Sequence, residues 1–243
     1  MSVALSSRAR VGLIVPPNNT VNEAEWAAFM PPGVSFHCAR FHLNPASRSS
    51  EEIATLKQGL AGACGLLAEA DLDAIAFGCT APSAINPRRD METWMQAITK
   101  QPCVTAAAAV VDALVALGVR RAALLSPFSG ALTEHEASFM RGEGLEIVAT
   151  HSLGHQTYAP GRKLAIHLIP PKDVAAHAMG LDLQAAEALI LSGTNLVTME
   201  MIAELEAALG LPVVSSNQAT LWSTLRKARI DDRLPLGRLF AVA

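Results

Sequence analysis

The chain has little of what usually announces a function. Charged residues make up 17% of its 243 positions and aromatic residues only 5%, with a formal net charge of −3. A pI near 6.2 and the lack of any long basic run exclude a polyanion such as nucleic acid as the expected partner. No apolar stretch approaches the roughly 20 residues that span a bilayer, and Met1 to Arg10 lacks an apolar signal core. No membrane partner is therefore expected, and the reading is cytoplasmic. Cysteine is sparse as well. Cys38, Cys64, Cys79 and Cys103 all lie in the first half, without a CxxC pair or a metal-type Cys/His spacing. Free thiols in a reducing compartment, and no metal site, are expected. The histidines have no Ser/Asp or Cys partner at a recognisable spacing, so no catalysis is placed on them.

What the chain has is apolar mass, 51% of its residues, with alanine prominent. That is enough for one large α/β domain or two smaller units with a real core. Asp73-Ala74-Ile75-Ala76-Phe77-Gly78-Cys79-Thr80-Ala81 is an apolar run that ends in a small residue, a thiol and a hydroxyl. A buried parallel strand delivers reactive groups in this way to the carboxyl edge of a sheet, where open α/β folds put their ligands. Glu187-Ala188-Leu189-Ile190-Leu191-Ser192-Gly193-Thr194-Asn195 echoes it without a gap, and Cys79 falls opposite Gly193.

Two further pairs recur in the same order. Arg10 to Pro16 resembles Arg121 to Pro127, each a strand stopped by proline before a helix. Gln101 to Ala107 matches Leu211 to Gln218, with a helix expected from Ala219 to Lys227. The separations are all about 110 residues, the signature of an internal repeat. The fold class follows as α/β, with two pseudo-twofold-related lobes, each a parallel sheet flanked by helices, and the active site in the cleft between them. Residues 1–118 form the lobe with Cys79 and residues 119–243 the lobe with Gly193, the final helix crossing back.

Between these landmarks, strands are expected at Val11–Val15, Val34–Phe41 and Leu145–His151. Helices are expected at Val21–Phe29, Glu51–Glu69, Met91–Thr99, Ala106–Leu117, Ala131–Glu143, Lys172–Met179 and Met199–Leu209. Pro82 and Pro87 bracket a loop. Cys64 reads as helix packing, and Cys38 and Cys103 as strand residues. Pro16-Pro17-Asn18-Asn19-Thr20 puts amide and hydroxyl donors beside a helix N-terminus, which suits a carboxylate, with Thr20 or Asn22 as candidate cap. A plain Asx-type turn explains the same residues. Thr80, Thr194 and Ser215-Ser216-Asn217 divide in the same way between substrate contact and helix capping. The segment from Ser152 to Pro171, with His155, Tyr158, Arg162 and His167, is placed to fold over the site.

Val11 to Thr20, Gly78-Cys79-Thr80, Ser192 to Leu196, Val213 to Gln218 and Gly237-Arg238-Leu239, in that order over nearly the whole chain, resemble the aspartate/glutamate racemase superfamily. Within it, the branch of maleate cis-trans isomerases and arylmalonate decarboxylases looks most similar. The resemblance implies an enzyme without cofactor or metal that uses cysteine on a small dicarboxylate, its carboxylates held by backbone amides and by Asn, Thr and Ser side chains. By position, the isomerase nucleophile falls on Cys79, with Thr80 and Ala81 beside it. The substrate loops fall on Pro16, Asn18, Asn19, Gly193, Thr194, Asn195 and Asn217. The isomerases' second cysteine falls on Gly193 and a family tyrosine on Phe128, so that thiol and that hydroxyl are absent. Maleate-type isomerisation by thiolate addition and elimination is the first expectation. Decarboxylation with Cys79 as proton donor, and dicarboxylate binding without turnover, are the alternatives. A homo-oligomer is expected, a dimer being common for such folds.

Overall fold

In the computed structural model, residues 6–41, 50–155, 166–183 and 185–242 are described. The first half runs β1 (Ala9–Val15), α1 (Asn22–Phe29), β2 (Val34–Arg40), α2 (Ser50–Ala68), β3 (Ala74–Phe77), α3 (Thr80–Ser83), α4 (Arg89–Thr99), β4 (Cys103–Thr105) and α5 (Ala106–Ala116). The second runs β5 (Arg121–Phe128), α6 (Gly130–Gly142), β6 (Glu146–His155), α7 (Pro171–Met179), β7 (Ala188–Leu191), α8 (Ile202–Leu209), β8 (Val213–Ser215) and α9 (Ser216–Lys227). Short 3-10 turns lie at Ile166–Leu168, Met199–Met201 and Arg238–Ala241.

Two four-stranded sheets result, ordered β2-β1-β3-β4 and β6-β5-β7-β8, with every pairing parallel. The strand order repeats, as the sequence echoes predict. The central strands are buried on both faces, which is why β1, β3, β5 and β7 read as continuous apolar runs rather than alternating ones.

Side chains still alternate between faces, and that alternation aims the site. Ala74 and Ala76 of β3, with Ala188 and Ile190 of β7, enter one core shared by both sheets. Ile75 and Phe77 enter a second core under α2 and α4, and Leu189 and Leu191 a third under α7 and α8. Cys79, two residues beyond Phe77, belongs to the second core. The shared core also contains α5, whose Ala106–Ala109, Val110, Val111, Ala113 and Leu114 are all buried. A helix so uniformly apolar has to be enclosed. It packs on α9, and α9 in turn lies against β3 and β4 of the first sheet.

Several boundaries differ from the expectation, each for a local reason. α9 starts at Ser216 rather than Ala219, because Ser215 and Gln218 form a capping box. That puts Ser216 and Asn217 in the first helical turn. The loop expected after Cys79 opens instead with the turn α3, where Pro82 is tolerated because first-turn N–H groups need no intrahelical partner. The cap of α1 is neither Thr20 nor Asn22. Asn19 Oδ1 accepts from the Val21 and Asn22 amides at 3.1 and 3.0 Å. β6 continues four residues beyond His151. β2 is an edge strand, so Cys38 is exposed. His167 lies in a 3-10 turn, whereas Tyr158 and Arg162 fall outside the described residues.

The capping box gives a direct test. Ser215→Ala removes the acceptor for the Gln218 amide in a fully buried setting and is expected to cost about 1–2 kcal/mol. In a chain of this length that is a fall of several degrees in melting temperature, on the order of 2–4 °C per kcal/mol, read by thermal denaturation.

Candidate active site

The first loop turns back on itself through the Asn19 amide, which donates to the Pro16 carbonyl at 3.1 Å. Arg40 on β2 locks that turn from outside, its Nη1 donating to the carbonyls of Pro16 and Asn19 at 3.1 and 2.8 Å, while its other nitrogen pairs with Glu23. Asn19 therefore has its oxygen committed to capping α1, and its Nδ2 is free to reach across to the second half. It donates to Thr194 Oγ1 at 3.1 Å, and Thr194 Oγ1 donates to the Gly78 carbonyl at 2.9 Å. Asn195 completes the join, accepting from the Thr20 amide at 3.1 Å and donating to the Asn18 carbonyl at 3.3 Å.

A second chain runs on the other side of the strand ends. Ser216 Oγ accepts from Thr80 Oγ1 and from the Gly193 amide, both at 3.2 Å. Residues Pro16, Asn18, Asn19, Thr80, Gly193, Thr194 and Asn195 are thus brought into one hydrogen-bonded cluster around Gly78 and Cys79. Asn217 sits behind it. Its Nδ2 donates to Glu25 Oε2, to the Thr194 carbonyl and to the Leu196 carbonyl at 2.5, 3.1 and 3.5 Å, so it braces the 194–196 loop from the rear. Ala81 lies in α3, where its carbonyl accepts from His135 Nε2 at 3.3 Å.

Cys79 is in extended backbone at the entry to α3 and makes no side-chain capping bond. It is 7% exposed. Burial pushes its thiol well above the ordinary range, and the negative charge of Glu136 pushes it the same way. The buried thiols Cys64 and Cys103 are also raised, to about 12 and about 11, in each case chiefly by burial.

Opposite Cys79, Gly193 has φ +103°, a conformation that L side chains rarely adopt. A Cβ there would stand 3.0 Å from Pro127 Cγ, 3.3 Å from Pro127 Cδ and 3.5 Å from Phe128 Cζ. A side chain at Gly193 would therefore be strained by the backbone and crowded by the Pro127 ring.

Sequence reading missed the carboxylates. Glu25 Oε1 accepts from the Thr198 and Met199 amides at 2.6 and 2.7 Å, tying α1 to the second half, and burial raises its carboxyl. Glu136 on α6 accepts from Ser192 Oγ at 2.6 Å. A signal for both was present. With Pro16 aligned on Pro127, Glu25 falls opposite Glu136. Among the described residues no group of three or more His, Cys, Asp or Glu is placed to hold a metal ion.

The profile of the arylmalonate decarboxylase family matches residues 11–240. The chain belongs to that family. The maleate isomerase of Pseudomonas putida KT2440 is 26% identical over 242 residues, covering 93% of this chain and 94% of that protein. The arylmalonate decarboxylase of Bordetella bronchiseptica is 34% identical over 148 residues, 60% of each chain. A mutant of the Nocardia farcinica maleate cis-trans isomerase, solved with a covalently bound succinylcysteine intermediate, superposes with a TM-score of 0.85 at 24% identity. That match covers 96% of this chain and 98% of the other. These relatives place the chain in the maleate isomerase and arylmalonate decarboxylase branch of the racemase-like superfamily, among cysteine-dependent enzymes.

The shape of Gly193 predicts that this member resists a second thiol. Gly193→Cys is expected to lower stability by about 1–3 kcal/mol from backbone strain alone. The close approach to Pro127 adds to that, so the variant should show a depressed melting temperature and no gain in turnover.

Proposed function

We propose that this enzyme isomerises a small cis-unsaturated dicarboxylate of the maleate type to its trans form, with Cys79 as the single nucleophile. The observation that carries the reading is the one buried thiol at the carboxyl edge of β3, ringed by neutral hydroxyl and amide groups from both halves of the chain. The Cys79 S–H first gives its proton to solvent; the thiolate then adds to one alkene carbon, and the π electron pair moves into the carboxylate on the other side, forming an enediolate. The former double bond is now single and turns. The electron pair then returns, the C–S bond breaks, and the trans acid leaves with the sulfur restored. One nucleophile is sufficient. With the Thr80 and Thr194 hydroxyls and the Gly193 amide donating within it, the cluster forms a fixed, neutral polar frame beside Cys79, which suits a substrate whose charge grows on a carboxylate oxygen in the transition state. The succinylcysteine seen in the Nocardia protein is the adduct such an addition leaves when the carbanion is protonated.

A specific observation also favours a second reading. The Cys79 thiol is held in its protonated form, and a buried S–H is suited to donate a proton to the carbanion left when a malonate loses CO2. The stretch of higher identity with the Bordetella decarboxylase supports it too.

Incubation with maleate and with phenylmalonate, followed by NMR for the trans acid or for CO2 loss, separates the two, and Cys79→Ala is expected to abolish either. Their pH profiles also differ in sign. A thiol whose pKa is raised is protonated throughout the neutral range. Turnover that needs the thiolate should therefore climb with pH from 6 to 9, whereas turnover that needs the S–H should stay level. Undiminished turnover in Cys79→Ala would remove Cys79 from both mechanisms.

A further inference from the structure

Two residues hold the loop after β7 from behind, and neither belongs to it. Glu25 on α1 is buried and accepts on both carboxylate oxygens. Its Oε1 takes the Thr198 and Met199 amides at 2.6 and 2.7 Å, and its Oε2 takes Asn217 Nδ2 at 2.5 Å. The same Nδ2, on a fully buried residue of α9, donates to the carbonyls of Thr194 and Leu196 at 3.1 and 3.5 Å. An amide nitrogen has two hydrogens. One goes to Glu25, so the carboxylate decides which way the amide faces and leaves the other hydrogen for the loop. Asn217 Oδ1, turned the other way, is buried without a partner among the described residues.

This brace is particular to the second half. With Pro102 aligned on Pro212, Ala107 falls opposite Asn217 and has no side-chain amide to offer. Holding the Thr194 carbonyl also sets the N–H of the same peptide. The Thr194–Asn195 bond is trans, and in a planar trans peptide the C=O and N–H point in opposite directions. The Asn195 N–H therefore points away from Asn217, and among the described residues it meets no acceptor. A backbone donor without a protein partner, at the carboxyl edge of β7, is suited to an oxygen of the substrate.

We propose that Glu25 is a positioning residue which, through Asn217, presents the Asn195 N–H to one carboxylate of the substrate; this rests on the reading of the cleft as a dicarboxylate site. Position 25 requires a carboxylate because both oxygens must accept. Glutamine of the same shape would keep its oxygen on the two backbone amides and set its NH2 against Asn217 Nδ2. Two donors then meet. Turning the Asn217 amide over relieves that contact, but it places Oδ1 against the Thr194 and Leu196 carbonyls, acceptor facing acceptor, and the loop is released.

The test measures Glu25→Gln with the dicarboxylate that the wild type turns over. KM is expected to rise about tenfold, the loss of one hydrogen bond to a charged group, with kcat changed less than about threefold. A merely loosened fold would instead lower the active fraction, and so kcat, with KM unmoved. Because Glu25 acts through Asn217, adding Glu25→Gln to Asn217→Ala should raise KM no further. Hydrogen exchange followed by NMR gives a readout without substrate. The Gly193 and Leu196 amides donate to Ser216 Oγ and to the Gly193 carbonyl, not to Glu25. In Glu25→Gln they should exchange about threefold faster or more, with the amides of β1 and β3 unchanged. Unchanged KM, or additive effects in the double variant, would overturn the proposal. If neither maleate nor phenylmalonate is turned over, the assigned reaction fails and the exchange rates alone decide, unchanged Gly193 and Leu196 amides sinking the positioning role and faster ones retaining it. Should Glu25→Gln fail to fold, Asn217→Ala is read in the same two ways, and wild-type KM or wild-type exchange counts against the proposal.

Discussion

One hydroxyl joins the two carboxyl edges on which the site is built. Thr194 Oγ1 takes a hydrogen bond from Asn19 of the first loop and gives one to the Gly78 carbonyl at the end of β3. Through this single atom, three segments far apart in the chain are fixed relative to Cys79. All of it is buried, so each bond is worth more than its surface equivalent and costly to leave unmade. The clasps on either side, Asn195 to the first loop and Ser216 to Thr80 and Gly193, make the cluster stiff. A site made of neutral donors needs that stiffness, because its power lies in dipoles that do not have to reorganise as charge develops.

The same enclosure has an electrostatic consequence. Removing Cys79 from water disfavours its thiolate, and a buried carboxylate close by adds to the effect. Burial therefore favours S–H at rest. For isomerisation the proton must leave before or during attack, and for decarboxylation it is the reagent. At Gly193 both the positive φ and the Pro127 ring, 3.0 Å from where a Cβ would stand, disfavour a side chain, so a second thiol there would be strained.

Much of the architecture was legible in the sequence because parallel strands buried on both faces leave unmistakable apolar runs, and because the runs repeat. Cys79, Thr80 and Gly193 could be placed at strand ends from that pattern alone. Asn19 could be placed in the right loop, but its two jobs could not be seen. Capping α1 is local, whereas reaching Thr194 depends on how the two sheets meet. Asn217 shows the same limit. It follows a strand, as a substrate residue would, yet the capping box at Ser215 winds it into α9 and turns it toward Glu25. Glu25 was passed over because a carboxylate near a helix start reads as a residue that favours the dipole, and Glu136 because a carboxylate within a helix reads as part of its solvent-facing side. Only the packing of the two halves reveals both as buried.

The most direct test of the central claim is to look for the bond it requires. Acid quenching during turnover with maleate, followed by intact-protein and peptide mass spectrometry, should show one dicarboxylate added to the chain and confined to the peptide containing Cys79. Turnover to the trans acid with no adduct on Cys79 under any quench, or with the adduct on Cys38, Cys64 or Cys103 instead, would contradict it.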